Sequence, residues 1–409
     1  MPMVGRQRIA NAVAGGTLYM SPRSFLEQSQ SLRLNGTVNL PSPHPNRIPL
    51  PHLPFSHNCN YSHHIMAPTT NKAISIQKDG SVTLIDKYPV PKPGSGQVLV
   101  KVAAAAQNPT DWKTAEFGKR AGAVSGCDFA GTVEEIGPDV EPGVRTIGER
   151  VAGFVHGGCY PNGSFAEYVV ASAEVIVRVP DAWSFADAAQ LGIAPFTALQ
   201  TLYESHLDLP TPLEPTSTPF PILVSGGASS VGQYVVQFAK LAGLRVLATA
   251  SKRNFELLKS LGADEVFDYN EPDVAQKIRA ATGGQLKHAV DTISEGATPN
   301  LVAGALSEDG GVAAVILPVK ESYPNVKAVH SLAYQLLGND FDFPMKHTAT
   351  PEHKQRGKKI AKLLEDILAQ GQVKPNPVYL MPNGLASVPE GFQYMKDGKV
   401  SCTSLAIHY

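Results

Sequence analysis

The chain has 409 residues, of which 43% are hydrophobic and 17% charged, with a formal net charge of -1. That length can bury a large core and suggests two or three domains. The balanced charge sets up no global field favouring nucleic acid or an anionic membrane, and no apolar run reaches the roughly 18 residues a spanning helix needs.

Residues 1–66 stand apart. Arg6, Arg8, Arg23, Arg33 and Arg47 face a single acid, Glu27, and prolines crowd from Pro41 to Pro54. With few apolar anchors, this segment is expected to be a disordered extension. Its arginine-rich, acid-poor start leaves a mitochondrial transit peptide as the minor alternative, although Gly15, Gly16 and Pro22 interrupt an amphipathic helix there. The preferred reading places the working start at Met66. Cys59, Cys127, Cys159 and Cys402 are widely spaced and form no C-x-x-C. They indicate neither a disulfide framework nor a four-thiolate zinc knot, and a reducing, cytoplasmic setting fits them.

From Lys72 the runs KAISIQ, VTLIDKY and QVLVKVAAAA predict strands punctuated by Gly and Pro, and GTVEEIG, ERVAGFV and FAEYVVA continue them. Ser184 with Asp187 three positions on predicts a helix start, with helix to about Ser205. After a proline-rich loop, Leu209 to Pro221, the rhythm becomes strand, helix, strand, helix, strand, and HAVDTIS and GGVAAVILP add two more strands. Such alternation implies a doubly wound parallel sheet. Near the end Ile360, Leu363, Leu364, Ile367 and Leu368 mark one face of an amphipathic helix stopped near Gly371.

ILVSGGASSVGQYVVQFAKLAG joins an apolar strand, a glycine turn and a helix, the context of a dinucleotide pyrophosphate site. Gly227 and Gly232 supply the tight turn and the close helix packing, and Ser229 replaces the middle glycine of G-x-G-x-x-G. The second strand ends in Ser251, Lys252, Arg253 and Asn254, where an NAD enzyme would carry an acid for the ribose 2'-hydroxyl. A Lys-Arg pair there attracts a 2'-phosphate, which selects NADPH.

QNPTDWK, GCDFAGTVEEIG, GERVAGFVHGG, GSFAEYVV and the glycine turn, in this order, resemble the zinc-independent branch of the medium-chain dehydrogenase/reductase superfamily. CDFAG, FVHGG, NFELLKSLGADEVFDYN and LLGNDFDFP are most similar to the fungal trans-acting enoyl reductases of polyketide biosynthesis. The resemblance runs from about Lys72 to the C-terminus. It implies an α/β architecture: a GroES-like β-rich catalytic domain (67–195), a Rossmann NADPH-binding domain (196–344) and a C-terminal segment (345–409) returning to the catalytic domain. Asn108 and Cys127 stand where zinc relatives carry ligands, so the thiolate-imidazole set is broken, and no metal is expected. His156 and Cys159 form an isolated H-x-x-C, read as a pocket-wall histidine and a buried thiol. Without a Lewis acid the chemistry shifts toward conjugate reduction of an activated C=C, because charge spreads into an enolate that hydrogen bonds can hold. Carbonyl reduction with another acid in place of a metal stays open, and the resemblance carries the specific assignment.

By the same resemblance, Asn108, Pro109, Thr110 and Asp111 line the nicotinamide end. Ser229, Ser230, Val231 and Gly232 hold the pyrophosphate, Ser251 to Asn254 the 2'-phosphate and Tyr269 the adenosine side. Ile316 and Leu317 pass the nicotinamide, and Val400 with Ser401 closes from the C-terminal segment. Asp111 reads equally as a helix cap, Tyr269 as a strand-end aromatic, and Ile316 and Leu317 as core strand residues. Substrate is expected beside Leu191, Gly192, Ile193, Ala194, Pro195 and Phe196, and beside Leu337, Gly338, Asn339, Asp340 and Phe341, with Thr197 as a hydrogen-bonding contact. Lys113 is the candidate proton donor or enolate stabiliser, with water as its rival and an exposed turn lysine as the plainer reading. The cluster Lys346, Lys354, Arg356, Lys358, Lys359 and Lys362 could dock an acidic carrier domain of a polyketide synthase or simply be a solvated face. A monomer or homodimer is expected. A quinone or enone reductase on diffusible substrates, and an NADPH-binding protein without turnover, remain as alternatives.

Overall fold

In the computed structural model, residues 68–204, 209–319 and 325–409 are described. The extension 1–66, with Cys59 and the start at Met66, and the helix end read near Ser205 lie outside them. The chain opens with the antiparallel pair β1 (Thr70–Ile76) and β2 (Val82–Pro89). There follow β3 (Gln97–Gln107), β4 (Asp128–Ile136), β5 (Arg150–Phe154), β6 (Tyr168–Ser172) and β7 (Ile176–Arg178). Strand β3 is long and buried along most of its length, and it pairs antiparallel with both β4 and β6. Their inward valines and isoleucines close a core with Phe129 and Phe165.

The predicted helix after Ser184 is two helices. The short α2 (Phe185–Ala188) follows α1 (Pro109–Lys113) in chain order, with the Ser184 hydroxyl accepting from the Asp187 N-H at 3.1 Å, and α3 (Ile193–Tyr203) begins after Gly192. At the break the Ile193 N-H donates to the Asp128 carboxylate, and the approach is so close that a Cβ on Gly192 would collide with it, so only glycine fits there.

The alternating region forms a parallel sheet from β8 (Pro221–Ser225), β9 (Arg245–Ala250), β10 (Glu265–Asp268), β11 (His288–Asp291), β12 (Gly311–Val315) and β13 (Val326–His330). Its order is β10-β9-β8-β11-β12-β13. The near-continuous burial of β8 and β9 follows from helices covering both faces. Helix α4 (Ser230–Leu241) connects β8 to β9, and α5 (Phe255–Ser260), α6 (Val274–Ala281) and α7 (Thr298–Ala305) make the later crossovers. Strand order reverses beside β8, so the carboxyl ends of β8 and β11 flank a crevice.

Helix α8 (Pro351–Ala369) buries Ile360, Leu364, Ile367 and Leu368 of the face read from the sequence and leaves Leu363 half-buried. The chain ends with β14 (Val378–Met381), α9 (Val388–Lys396) and β15 (Ser404–His408), and β15 pairs with Ala104–Gln107 of β3, beyond the stretch that β6 takes. Strands β13, β14 and β15 carried no clear sequence signal. Among the described residues no helix is long and apolar enough to cross a membrane.

Candidate active site

A cleft of about 910 Å³ opens over the carboxyl ends of β8 and β11, and α1, α3, the Ser331–Tyr334 turn and the C-terminal segment 398–405 complete its walls. One wall is the glycine turn. Gly226 takes a φ of +75°, which side chains rarely adopt, and the Gly227 N-H donates to Thr249 O at 2.9 Å. The Ser229 hydroxyl caps α4 by accepting from the Gly232 N-H at 2.9 Å and lies 2.8 Å from Thr292 Oγ1. A Cβ on Gly232 would meet the carbonyl of Gly226 and the Cα of Gly227. The N-H groups of Ser230 and Val231 lie in the first turn, where no intrahelical carbonyl reaches them, and both residues line the cleft. This is a cradle for an anion, with the helix dipole behind it. Gly227 and Gly232 therefore shape the turn from behind it.

Ser251, Arg253, Asn254, Tyr269, Ile316 and Leu317 line the same cleft. Arg253 Nη2 donates to Ser401 Oγ at 3.1 Å and so ties the C-terminal segment, including Val400, over the opening. Lys252 is placed differently from the sequence expectation. It is absent from the cleft wall, and its ammonium stands 3.6 Å from Glu271 and 4.0 Å from Asp268, two acids that draw it outward.

The second wall is made of buried polar side chains. Asn108, Pro109, Thr110 and Lys113 line it, while Asp111 is buried beneath α1 and accepts the Asn108 N-H at 2.7 Å, which is the capping role. Asn108 Nδ2 donates to Asp128 Oδ2 at 2.9 Å, and Asp128 Oδ1 accepts the Ile193 N-H at 2.7 Å. One carboxylate thus fastens the start of α1 to the start of α3. Burial pushes the Asp111 carboxyl up to about 7 and the Asp128 carboxyl well above its ordinary range, in each case against the hydrogen bonds it accepts, and for Asp128 the neighbouring Asp111 adds to the rise. The Cys127 thiol, fully buried, is likewise pushed far up, first by desolvation and then by Asp111. Its sulfur lies 3.2 Å from the Tyr334 hydroxyl, which in turn lies 2.7 Å from Thr110 Oγ1. Asn108 and Cys127 are thus occupied with protein partners, and among the described residues no three His, Cys, Asp or Glu side chains converge as a metal site would require.

The substrate-side expectations divide. Ile193 and Thr197 line the cleft. Leu191, Ala194, Pro195 and Phe196 do not: they are buried, with Phe196 packed edge-on against Phe154, and Gly192 abuts Asp128. Leu337, Gly338, Asn339, Asp340 and Phe341 also lie off the wall. Gly338 packs on Lys354, the Asp340 carbonyl accepts from Tyr160 at 2.5 Å, and Phe341 stands edge-on to His156. That segment supports the wall from behind, and its flanks, Ser331 to Tyr334 and Phe343 with Pro344, reach the cleft instead. His156 stacks on the Tyr334 ring at 3.8 Å and lies 3.3 Å from the Cys159 sulfur, behind the cleft. Burial holds His156 down to about 4. Lys113 is half-buried, 5.7 Å from the Trp112 ring. In the basic cluster, Lys358 pairs with Glu174 at 2.7 Å and Lys362 with Asp366.

Asp128, Tyr334, Thr292 and Phe117, the last 62% exposed, are among the cleft-lining residues to which the sequence reading gave no role. An acid inside the apolar CDFAG run was a usable signal for Asp128. A tyrosine in SLAYQLLG was not.

With this geometry established, the family comparisons agree on one kinship. Residues 94–181 match the alcohol dehydrogenase GroES-like domain and residues 230–335 the zinc-binding dehydrogenase family. The chain is 39% identical to trans-enoyl reductase ACTTS2 of Alternaria alternata, an alignment spanning 82% of this chain and 98% of that one. It is 36% identical to trans-enoyl reductase ccsC of Aspergillus clavatus, over 84% and 97%. Among solved structures, CurK enoyl reductase superposes with a TM-score of 0.66 at 20% identity, covering 83% of this chain and 99% of that one. A mycobacterial protein complexed with NADPH gives 0.66 at 23%, over 83% and 100%. These two share the fold. The chain therefore belongs to the trans-enoyl reductases, oxidoreductases of the medium-chain dehydrogenase/reductase superfamily.

Proposed function

We propose that this protein uses NADPH to reduce the activated C=C bond of enoyl thioesters carried by a separate polyketide synthase. The observation that carries the reading is the 39% identity to a trans-enoyl reductase across 98% of that relative's length. The cleft fits the cofactor: its volume is of the size that dinucleotide and drug-sized ligands fill, and its glycine turn offers unpaired N-H groups where a pyrophosphate would lie. Ser229, Ser230 and Val231 would hold the pyrophosphate, Ser251, Arg253 and Asn254 the 2'-phosphate, Tyr269 the adenosine side, and Asn108, Pro109, Thr110, Ile316 and Leu317 the nicotinamide. Bound there, NADPH would supply the hydride for the β-carbon, and the α-carbon would take its proton from Lys113 or from water.

The chain's own contribution is orientation and charge. Asp128 keeps Asn108 and the start of α3 in register, so Ile193 and Thr197 face the same space as Thr110 and Lys113. Hydroxyls and a lysine around that space suit the oxygen of an acyl thioester as negative charge develops on it. A carrier-bound arm would reach it past Phe117 and Phe343. The test is NADPH oxidation measured side by side with enoyl thioesters, quinones and simple enals. Preference for thioesters is expected. Preference for quinones would assign a diffusible-substrate reductase, and NADPH binding without turnover on any acceptor would assign a binding protein.

A further inference from the structure

Three side chains from distant parts of the chain meet at the cleft: Thr110 in α1, Cys127 just before β4, and Tyr334 in the turn after β13. The Tyr334 hydroxyl is the middle member, 2.7 Å from Thr110 Oγ1 and 3.2 Å from Cys127 Sγ. Its ring has little freedom, since it stacks on His156 at 3.8 Å with the planes 13° apart and has Phe341 edge-on at 6.3 Å. A buried hydroxyl held this firmly costs little further entropy when a ligand arrives, and such preorganised donors are what stabilise developing charge.

We propose that Tyr334 is a positioning residue: with Cys127 behind it, its hydroxyl orients Thr110 so that the threonine O-H donates to the acyl oxygen of the substrate. The inference deepens the enoyl reductase reading and rests on it. Either atom of each pair can donate, and the proposal takes one of the two directions. The Tyr334 oxygen accepts from the Cys127 S-H, a thiol that also lies against the Asp111 carboxyl, and the tyrosine O-H donates to Thr110 Oγ1, which frees the threonine hydrogen for the cleft. Thr110 is half-buried and lines that cleft. Deleting the tyrosine oxygen leaves the threonine free to turn and to spend its hydrogen elsewhere. The loss should therefore appear in turnover and leave cofactor affinity alone.

The experiment is a double-mutant cycle on the full chain, using an enoyl thioester and NADPH, with NADPH affinity read separately by fluorescence titration. Tyr334→Phe keeps the stacked ring and is expected to lower kcat about 10- to 100-fold, with NADPH Kd within about twofold. Thr110→Val should lose as much, and the double variant little more than either, because both singles remove one interaction. Cys127→Ala should lose about threefold, and Cys127→Ser, which restores a donor, should recover most of it. Singles whose losses multiply, or a Tyr334→Phe loss confined to NADPH Kd, would overturn the proposal. So would an unchanged kcat in Tyr334→Phe. If wild-type protein instead ignores thioesters, the substrate reading fails on that measurement alone, independently of the cycle.

Discussion

The two walls of the cleft are built on opposite principles. The glycine-turn wall uses backbone: unpaired N-H groups, a left-handed Gly226 and a close-packed Gly232, all within one strand-turn-helix segment. The Asn108–Lys113 wall uses buried side chains, Asp111, Asp128, Cys127 and Tyr334, the last reaching Thr110 across 224 residues of sequence. A backbone site tolerates pH and depends on shape. A side-chain site carries buried titratable groups and should respond to both.

The largest test of that contrast is pH. The Asp111 carboxyl is raised on folding from 3.8 to about 7, chiefly by burial. The native state then holds this proton more tightly than the unfolded chain does. Stability is therefore untouched below about pH 4 and falls as pH rises toward neutrality, by up to about 4 kcal/mol. Asp128 is pushed in the same direction. Asp111→Asn keeps an oxygen for the Asn108 N-H, so urea unfolding of this variant should lose much less stability between about pH 5 and 8 than wild type does. Parallel pH curves for the two proteins would erase the distinction between the walls.

Next in size is Asp128→Ala, which orphans Asn108 Nδ2 and the Ile193 N-H together. A cost of about 3 kcal/mol is expected, read as a fall in unfolding midpoint, with kcat reduced because α1 and α3 lose their common anchor. A stability change under about 0.5 kcal/mol would mean that relieving the buried carboxyl offsets both bonds. On the other wall, Gly232→Ala sets a methyl against the Gly226 carbonyl and the Gly227 Cα, neither of which can swing aside. About 2 kcal/mol and a clear loss of NADPH affinity should follow, with no new pH dependence.

The same contrast explains what the sequence disclosed. The glycine turn with its flanking strand and helix is one contiguous segment, and so is the Ser251–Asn254 stretch, so spacing alone was enough to mark them as candidates. Asn108 to Lys113 were also a single motif. Tyr334 and the Asp128 bridge exist only once the fold brings β4, α1, α3 and the 331–334 turn together, and no local pattern encodes that meeting. Leu191, Ala194, Pro195 and Phe196 and the 337–341 stretch lie off the cleft wall for a related reason. A helix or turn beside a cleft shows it only some residues, here Ile193, Thr197 and Tyr334, and packing elsewhere decides which. Strand β15 escaped notice because its partner, β3, lies some 300 residues earlier in the chain.

The smallest effect sharpens the comparison within the backbone wall itself, where two neighbouring cations were expected to share one phosphate. Arg253 lines the cleft and donates there to the neutral Ser401 hydroxyl, a partner a phosphate would readily displace. Lys252 instead faces Glu271 and Asp268, and leaving them would forfeit two attractions already made. Arg253→Ala should therefore weaken NADPH on the order of 10- to 30-fold while barely changing NADH, and Lys252→Ala should shift NADPH by no more than about threefold. Steady-state KM for both cofactors with each variant decides it. A larger loss from Lys252→Ala would show that the lysine swings inward when the cofactor binds, and equal losses for NADPH and NADH would remove the 2'-phosphate from this wall altogether.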